Sequence, residues 1–199
     1  MHVSLFGGAF DPLHNGHVDI VDYILNVAAT DQLLLVPTGH PVHKPKTFFP
    51  SDVRMAMLQS VFGDNDRIII DPVEINVQRP SYTTDTIAYI HSKYQPKTLT
   101  LVVGFDQLYQ FHRWRNYESI LQECDLLVIL RQGIDHDRLM KVFPRELIPY
   151  QKNIKIHEVY PTEVSSTNLR IKIKKNLSIE SFVPPEVAKI IAHFQQGPK

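Results

Sequence analysis

The chain has 199 residues, 43% of them hydrophobic and 21% charged, a balance that fits a globular protein with a substantial core and excludes a disordered chain. Its 21 basic and 21 acidic side chains cancel, which argues against a long polyanion such as DNA as partner, whereas a small anion needs only a local patch. One cysteine excludes an internal disulfide, no basic region followed by an apolar stretch opens the chain, and no window approaches a membrane span, so the expectation is a soluble cytoplasmic protein that contacts neither nucleic acid nor membrane.

From the amino end, residues 2–6 read as a strand. Val18, Val21, Ile24, Leu25 and Ala28 then recur with helical spacing, predicting a helix over about 15–28 with Asn15 as its cap. "QLLLVP" reads as a buried strand stopped by Pro37, and "TGHPVHKPKTFFP" as a basic, proline-rich loop. Ser51 or Asp52 should cap a helix whose stripe includes Val53, Met57, Leu58 and Val61. "RIIID" gives a third strand, and "RPSYTTDTIAYIHSKY" passes from loop to helix near Thr83 or Thr84. "LTLVVG" and "DLLVIL" are the fourth and fifth strands, with a helical stretch between them, and Cys124 at the mouth of the fifth reads as a buried structural thiol. "NIKIHEV" is a shorter strand, "SSTNLRIKIKKN" opens another helix and "PPEVAKIIAHFQ" is a terminal helix with proline at its start.

Alternating strands and helices with continuous apolar strand runs predict an α/β fold, a Rossmann-like, doubly wound and mostly parallel sheet with a C-terminal helical subregion. Neither a repeat nor a low-complexity tract divides the chain, so 1–199 is expected to form one domain. In such a sheet ligands bind at the carboxyl ends of the strands near the switch point, where the turn after the first strand lies.

That turn, "LFGGAFDPLHNGHV", joins two glycines to Asp-Pro and to two histidines three residues apart at a helix start. Glycines let backbone approach a ligand closely, and a helix start favours anions. The combination suggests a phosphate seat, yet it is neither a P-loop nor the G-x-G-x-x-G dinucleotide turn. Taken alone, an H-x-x-H pair is far more often an ordinary surface turn. His14/His17 and His40/His43 both have H-x-x-H spacing, but zinc needs three or four converging ligands and no cysteine stands near, so no dedicated metal site is expected.

"GGAFDPLHNGH" resembles the "GG[T/S]FDPxHxGH" signature of the nucleotidyltransferase superfamily that contains the nicotinate and nicotinamide mononucleotide adenylyltransferases and pantetheine-phosphate adenylyltransferase. The resemblance spans nearly the whole chain. "PTGHPVHK" is similar to the family's P-x-x-x-P-P-H-K loop, "RPSYTTDTI" to its substrate loop, "VVGFDQLYQFHRW" to its G-x-D…W segment and "VSSTNLR" to its I-S-S-T-x-I-R motif. These four point to the bacterial nicotinate mononucleotide enzymes. Two departures stand out: Ala9 replaces the usual threonine or serine, and Val42 the second proline of the loop.

The resemblance implies attack by the phosphate of nicotinate mononucleotide on the α-phosphorus of ATP, with Mg²⁺ arriving on the ATP phosphates. It implies His14, His17, Lys44 and Arg170 as catalytic groups. ATP would meet Gly7, Gly8, Ala9, Phe10, His14, His17, Gly104, Asp106, Ser165, Ser166, Thr167 and Arg170, with Ser166 or Thr167 capping the helix that carries Arg170. The pyridine nucleotide would meet Lys44, Tyr82, Thr83, Thr84, Trp114 and Arg115, with Trp114 stacked on the ring. Asp11 and Pro12 would shape the turn. The alternatives are nicotinamide mononucleotide or phosphopantetheine as acceptor, or a nucleotide sensor without turnover. Oligomeric state is not legible.

Overall fold

Five largely apolar segments and a shorter alternating one at the sheet edge, Ile154–His157, pair side by side into a sheet in which every strand runs the same way. The computed structural model describes residues 1–39, 47–77, 79–130, 139, 142–159 and 162–197. Its elements are β1 (His2–Gly8), α1 (Asn15–Asn26), β2 (Gln32–Pro37), α2 (Ser51–Phe62), β3 (Ile68–Ile70), α3 (Thr83–Tyr94), β4 (Thr98–Gly104), α4 (Phe105–Gln110), α5 (Tyr117–Glu123), β5 (Asp125–Ile129), β6 (Ile154–His157), α6 (Ser166–Lys174) and α7 (Pro185–Gln196), with 3-10 segments at Phe111–Arg113 and Arg145–Asn153.

The strand order is β3-β2-β1-β4-β5-β6, so the winding reverses between β1 and β4. This is the doubly wound order of Rossmann-type sheets, with the crevice for a ligand at the carboxyl ends of those two strands. Register brings the ends level: Gly8 stands beside Pro37, Phe6 beside Val102, and Gly104 beside Ile129.

Successive side chains of a strand point to opposite faces, and β1 divides accordingly. Val3 and Leu5 join Leu34, Leu101 and Val128 under α3, α4 and α5. Phe6 joins Leu33, Leu35 and Val102 under α1, α2, α6 and α7. The C-terminal helical subregion thus completes the layer over one face, with α7 packed beside α2. No helix among the described residues is long and apolar enough to cross a membrane.

Several local expectations change. β1 runs on to Gly8, and α1 ends at Asn26. The stretch expected to be one helix between β4 and β5 is broken: α4 passes into a 3-10 turn, and Asn116 takes a left-handed conformation (φ 53°) before α5. Asparagine tolerates that region better than most residues. The 3-10 segment Arg145–Asn153, with Pro149 inside it, had no counterpart in the sequence reading. Cys124 is buried and donates to the Ile120 carbonyl, 3.1 Å away; burial pushes its thiol up to about 12, far from nucleophilic use.

Candidate active site

The turn after β1 is held from three sides. The Thr38 amide donates to the Gly8 carbonyl at 2.8 Å, continuing the β1–β2 ladder past the strand ends. Phe10 then takes a positive φ of 47°, and its ring is buried edge-on against Phe6 and His17. A Cβ at position 8 would stand 3.2 Å from the Phe10 ring, which would have to yield by a few tenths of an ångström, so the buried ring favours glycine there. The Phe10 ring is thereby withdrawn from any nucleotide. A cis Asp11–Pro12 bond follows, and the Asp11 carboxylate accepts the amides of Phe48 and Phe49, both at 2.8 Å.

The histidine pair opens α1. His14, not Asn15, is the N-cap residue; Asn15 sits one position inside, its amides donating to the carbonyls of Phe182 and Ser181. The two imidazoles stack with centroids 3.6 Å apart and planes inclined by 20°. The His14 backbone amide donates to His17 Nδ1 at 3.3 Å. An accepting Nδ1 leaves the proton of the neutral ring on Nε2, so His17 presents an Nε2–H donor. Burial, with the neighbouring His14 charge a smaller cause, holds His17 well below the usual imidazole range. At neutral pH it is therefore an uncharged donor.

α6 is brought to the same place from the far end of the chain. A side chain at position 16 would lie 2.9 Å from the Thr162 carbonyl, so Gly16 lets that segment lie directly against α1. Asp19 completes the seam by accepting the Thr162 amide at 2.6 Å and its hydroxyl at 2.7 Å. Ser165, not Ser166 or Thr167, caps α6 by accepting the Asn168 amide at 3.4 Å. Ser166 instead donates to the Pro12 carbonyl at 3.3 Å. Arg170 donates to the Asp11 carbonyl at 2.8 Å and to the Thr167 hydroxyl at 3.0 Å, and lies 3.6 Å from the Asp11 carboxylate.

Gly104 lies open at the carboxyl end of β4, with Asp106 exposed in the first turn of α4. On the β3 side, Tyr82 precedes α3, with Thr83 and Thr84 as its first two residues. The Arg115 guanidinium stacks over the Tyr82 ring at 4.6 Å, bringing two predicted substrate contacts together. Trp114 is half-buried and packs on Phe111, 4.8 Å between centroids. Lys44, Val42, His40 and His43 lie outside the described residues.

Three contributors escaped the sequence reading: Gly16, Asp19 and Arg54. The stripe predicted for α2 included Val53, yet it is Arg54 that is buried, donating at 2.8 Å to both the Ala9 and the Thr38 carbonyls. A lone arginine near a helix start reads as solvated, and only spatial neighbours reveal otherwise. Among the described residues no group of three or more His, Cys, Asp or Glu side chains converges on a metal position.

The cytidylyltransferase-like family model matches residues 5–172. A "Probable nicotinate-nucleotide adenylyltransferase" of Clostridium tetani is 32% identical over 193 residues, 96% of each chain. A relative of the same name from Flavobacterium psychrophilum is 31% identical over 97% of each. Among solved structures, nicotinic acid mononucleotide adenylyltransferase of Plasmodium falciparum, complexed with NaAD, superposes with a TM-score of 0.78 at 18% identity, covering 98% of this chain and 96% of its own; at that identity the likeness is one of fold. Model match, relatives and site geometry agree: the chain belongs to the cytidylyltransferase-like family, among its nicotinate-nucleotide adenylyltransferases.

Proposed function

We propose that this chain, acting as one nucleotidyltransferase domain in the cytoplasm, transfers the adenylyl group of ATP to nicotinate mononucleotide, giving nicotinate adenine dinucleotide and pyrophosphate. The observation that carries the reading is the stacked His14–His17 pair at the start of α1, joined through the β1 turn to Arg170. The names of the relatives, and a Plasmodium falciparum enzyme solved with NaAD, support the choice of substrates.

A phosphate oxygen of the mononucleotide forms a bond to the α-phosphorus as the bond to the pyrophosphate oxygen breaks. The acceptor is already anionic, so no proton need be removed from it, and the protein's task is in-line positioning and charge stabilisation. His17 Nε2–H, the amides around Gly8 to Phe10 and the α1 dipole would meet the phosphates, and Lys44 and Arg170 would supply full charge.

The turn's own carboxylate, Asp11, is occupied by two amides and faces Arg170, so this donor set suits Mg²⁺ that enters chelated by ATP. When bound, that ion neutralises charge on the phosphates. Tyr82, Arg115 and Trp114, with the amides of Thr83 and Thr84 at the positive end of α3, suit a pyridine ring bearing a carboxylate. A carboxamide would set its NH₂ against those donors.

The deciding experiment is pyrophosphate release from Mg·ATP with nicotinate mononucleotide, nicotinamide mononucleotide or phosphopantetheine supplied separately. Nicotinate should lead in kcat/KM by at least about tenfold, the scale of a buried donor left unpaired. Equal efficiencies would make the pocket dual-specific, and no release with any acceptor would leave a nucleotide sensor.

A further inference from the structure

Beneath the β1 turn lies a charge that nothing above employs. The Arg54 side chain is 1% exposed, and its two bonds go to neutral acceptors, the carbonyls of Ala9 and Thr38. Among the described residues no carboxylate lies within ion-pair distance of it, and its Nε has no hydrogen-bond partner. Asp11 is the acidic group whose field reaches it, and Asp11 is shared with Arg170. Two guanidinium groups and one carboxylate leave this locus with a surplus positive charge. Burying such a charge without an ion partner is costly, and an anion brought to the turn offsets the cost.

The bonds also have a direction. In a planar trans peptide the carbonyl and the amide point opposite ways. With the Ala9 and Thr38 carbonyls turned toward Arg54, the Phe10 and Gly39 amides are turned away from it. Those carbonyls follow the ends of the adjacent strands β1 and β2, so a single side chain sets the orientation of two neighbouring peptide planes on the β2 side of the switch point. Gly39 is itself fixed, because a side chain there would lie 1.9 Å from the Glu74 carbonyl.

We infer that Arg54 is a positioning residue for the ATP triphosphate: its guanidinium aims the Phe10 and Gly39 amides outward and supplies buried positive charge that the phosphates compensate. The inference rests on the adenylyltransfer reading for the identity of its anion, and it touches the acceptor pocket only indirectly. Both bonds leave one nitrogen, Nη1, so lysine in place of arginine keeps the charge but loses the planar guanidinium that fixes the directions of that nitrogen's two N–H bonds.

The test is calorimetric titration of the wild-type protein, R54K and R54M with Mg·ATP alone and, separately, with nicotinate mononucleotide alone, with thermal melts alongside. R54K should weaken ATP binding about tenfold and R54M about a hundredfold or more, as expected for lost charge-assisted contacts to buried carbonyls. Mononucleotide binding should change less than about twofold, on the tenfold-per-1.4 kcal/mol scale of affinities. A variant with a lowered melting temperature but unchanged ATP affinity would reduce Arg54 to a structural residue and overturn the inference, as would equal weakening of both ligands. R54K decides the matter if R54M does not fold. Wild-type protein that binds ATP but releases no pyrophosphate with any acceptor would sink the adenylyltransfer reading and leave the Arg54 measurement standing.

Discussion

His17 shows how much chemistry one backbone bond can set. The His14 amide occupies Nδ1 and fixes the tautomer, while burial, with His14 a smaller cause, favours the uncharged ring. A donor already oriented toward developing charge needs no reorganisation as the reaction proceeds. His17→Ala should therefore lower kcat by about a hundredfold or more, the range for removing one preorganised donor from a transition state, with the fold retained in circular dichroism. Near-normal turnover in that variant would remove the histidine from the phosphate seat. The pair was visible in the sequence because its spacing and its position after two glycines are local properties. Arg54 was hidden because what makes it unusual lies across the fold, in carbonyls 45 and 16 residues away.

At the scale of elements, α3 owes its place to a buried anchor. Asp71, just past β3 and 2% exposed, accepts from Tyr94 at 2.6 Å, Lys93 at 2.9 Å, Tyr89 at 3.2 Å and the Val73 amide at 2.9 Å. Burial alone would raise its carboxyl, but Tyr94, Lys93 and Val73 outweigh it and hold the group below the usual aspartate range. Such a carboxylate contributes stability that is present above its unfolded pKa of 3.8 and is lost as pH falls through the lower folded value. Asp71→Asn should accordingly lower stability by about 1–3 kcal/mol at pH 7 and flatten the acid limb of a Tm-against-pH curve. An unchanged acid limb would show that Asp71 does not carry it. The doubly wound α/β class and most of the helices were legible because covered strands are written as apolar runs and helices as a 3.6-residue stripe, whereas the strand order came only from the structure. Caps were misplaced at His14, Pro50 and Ser165: Asn15, Ser51 and Ser166 are good capping types that stand just inside their helices, and Asn15 and Ser166 are engaged elsewhere. The break before α5 was illegible because apolar spacing continues through it, and it depends on a left-handed Asn116.

For the whole molecule, the proposed reading sets the two nucleotides on either side of the switch point, ATP at the β1 turn and α6 and the acceptor at α3 and the segment around Trp114, with β1 adjoining β4 between them. The same adjacency governs how the chain can be made. β1 carries four consecutive buried residues, Val3 to Phe6, and one of its two edges is satisfied only by β4, nearly a hundred residues later. During synthesis at about 5–20 residues per second, that edge waits roughly 5 to 20 s for its partner. Until then β3-β2-β1 offers a row of unpaired amides and carbonyls on a flat apolar strand, a ready template for a second nascent chain. A fragment ending at residue 95 should therefore elute as aggregates in size-exclusion chromatography under conditions where the full chain stays dispersed, and a monomeric fragment would show that another segment shields β1. Chaperone demand in this protein is thus expected to fall abruptly as residues 98–104 leave the ribosome, rather than declining gradually along the chain.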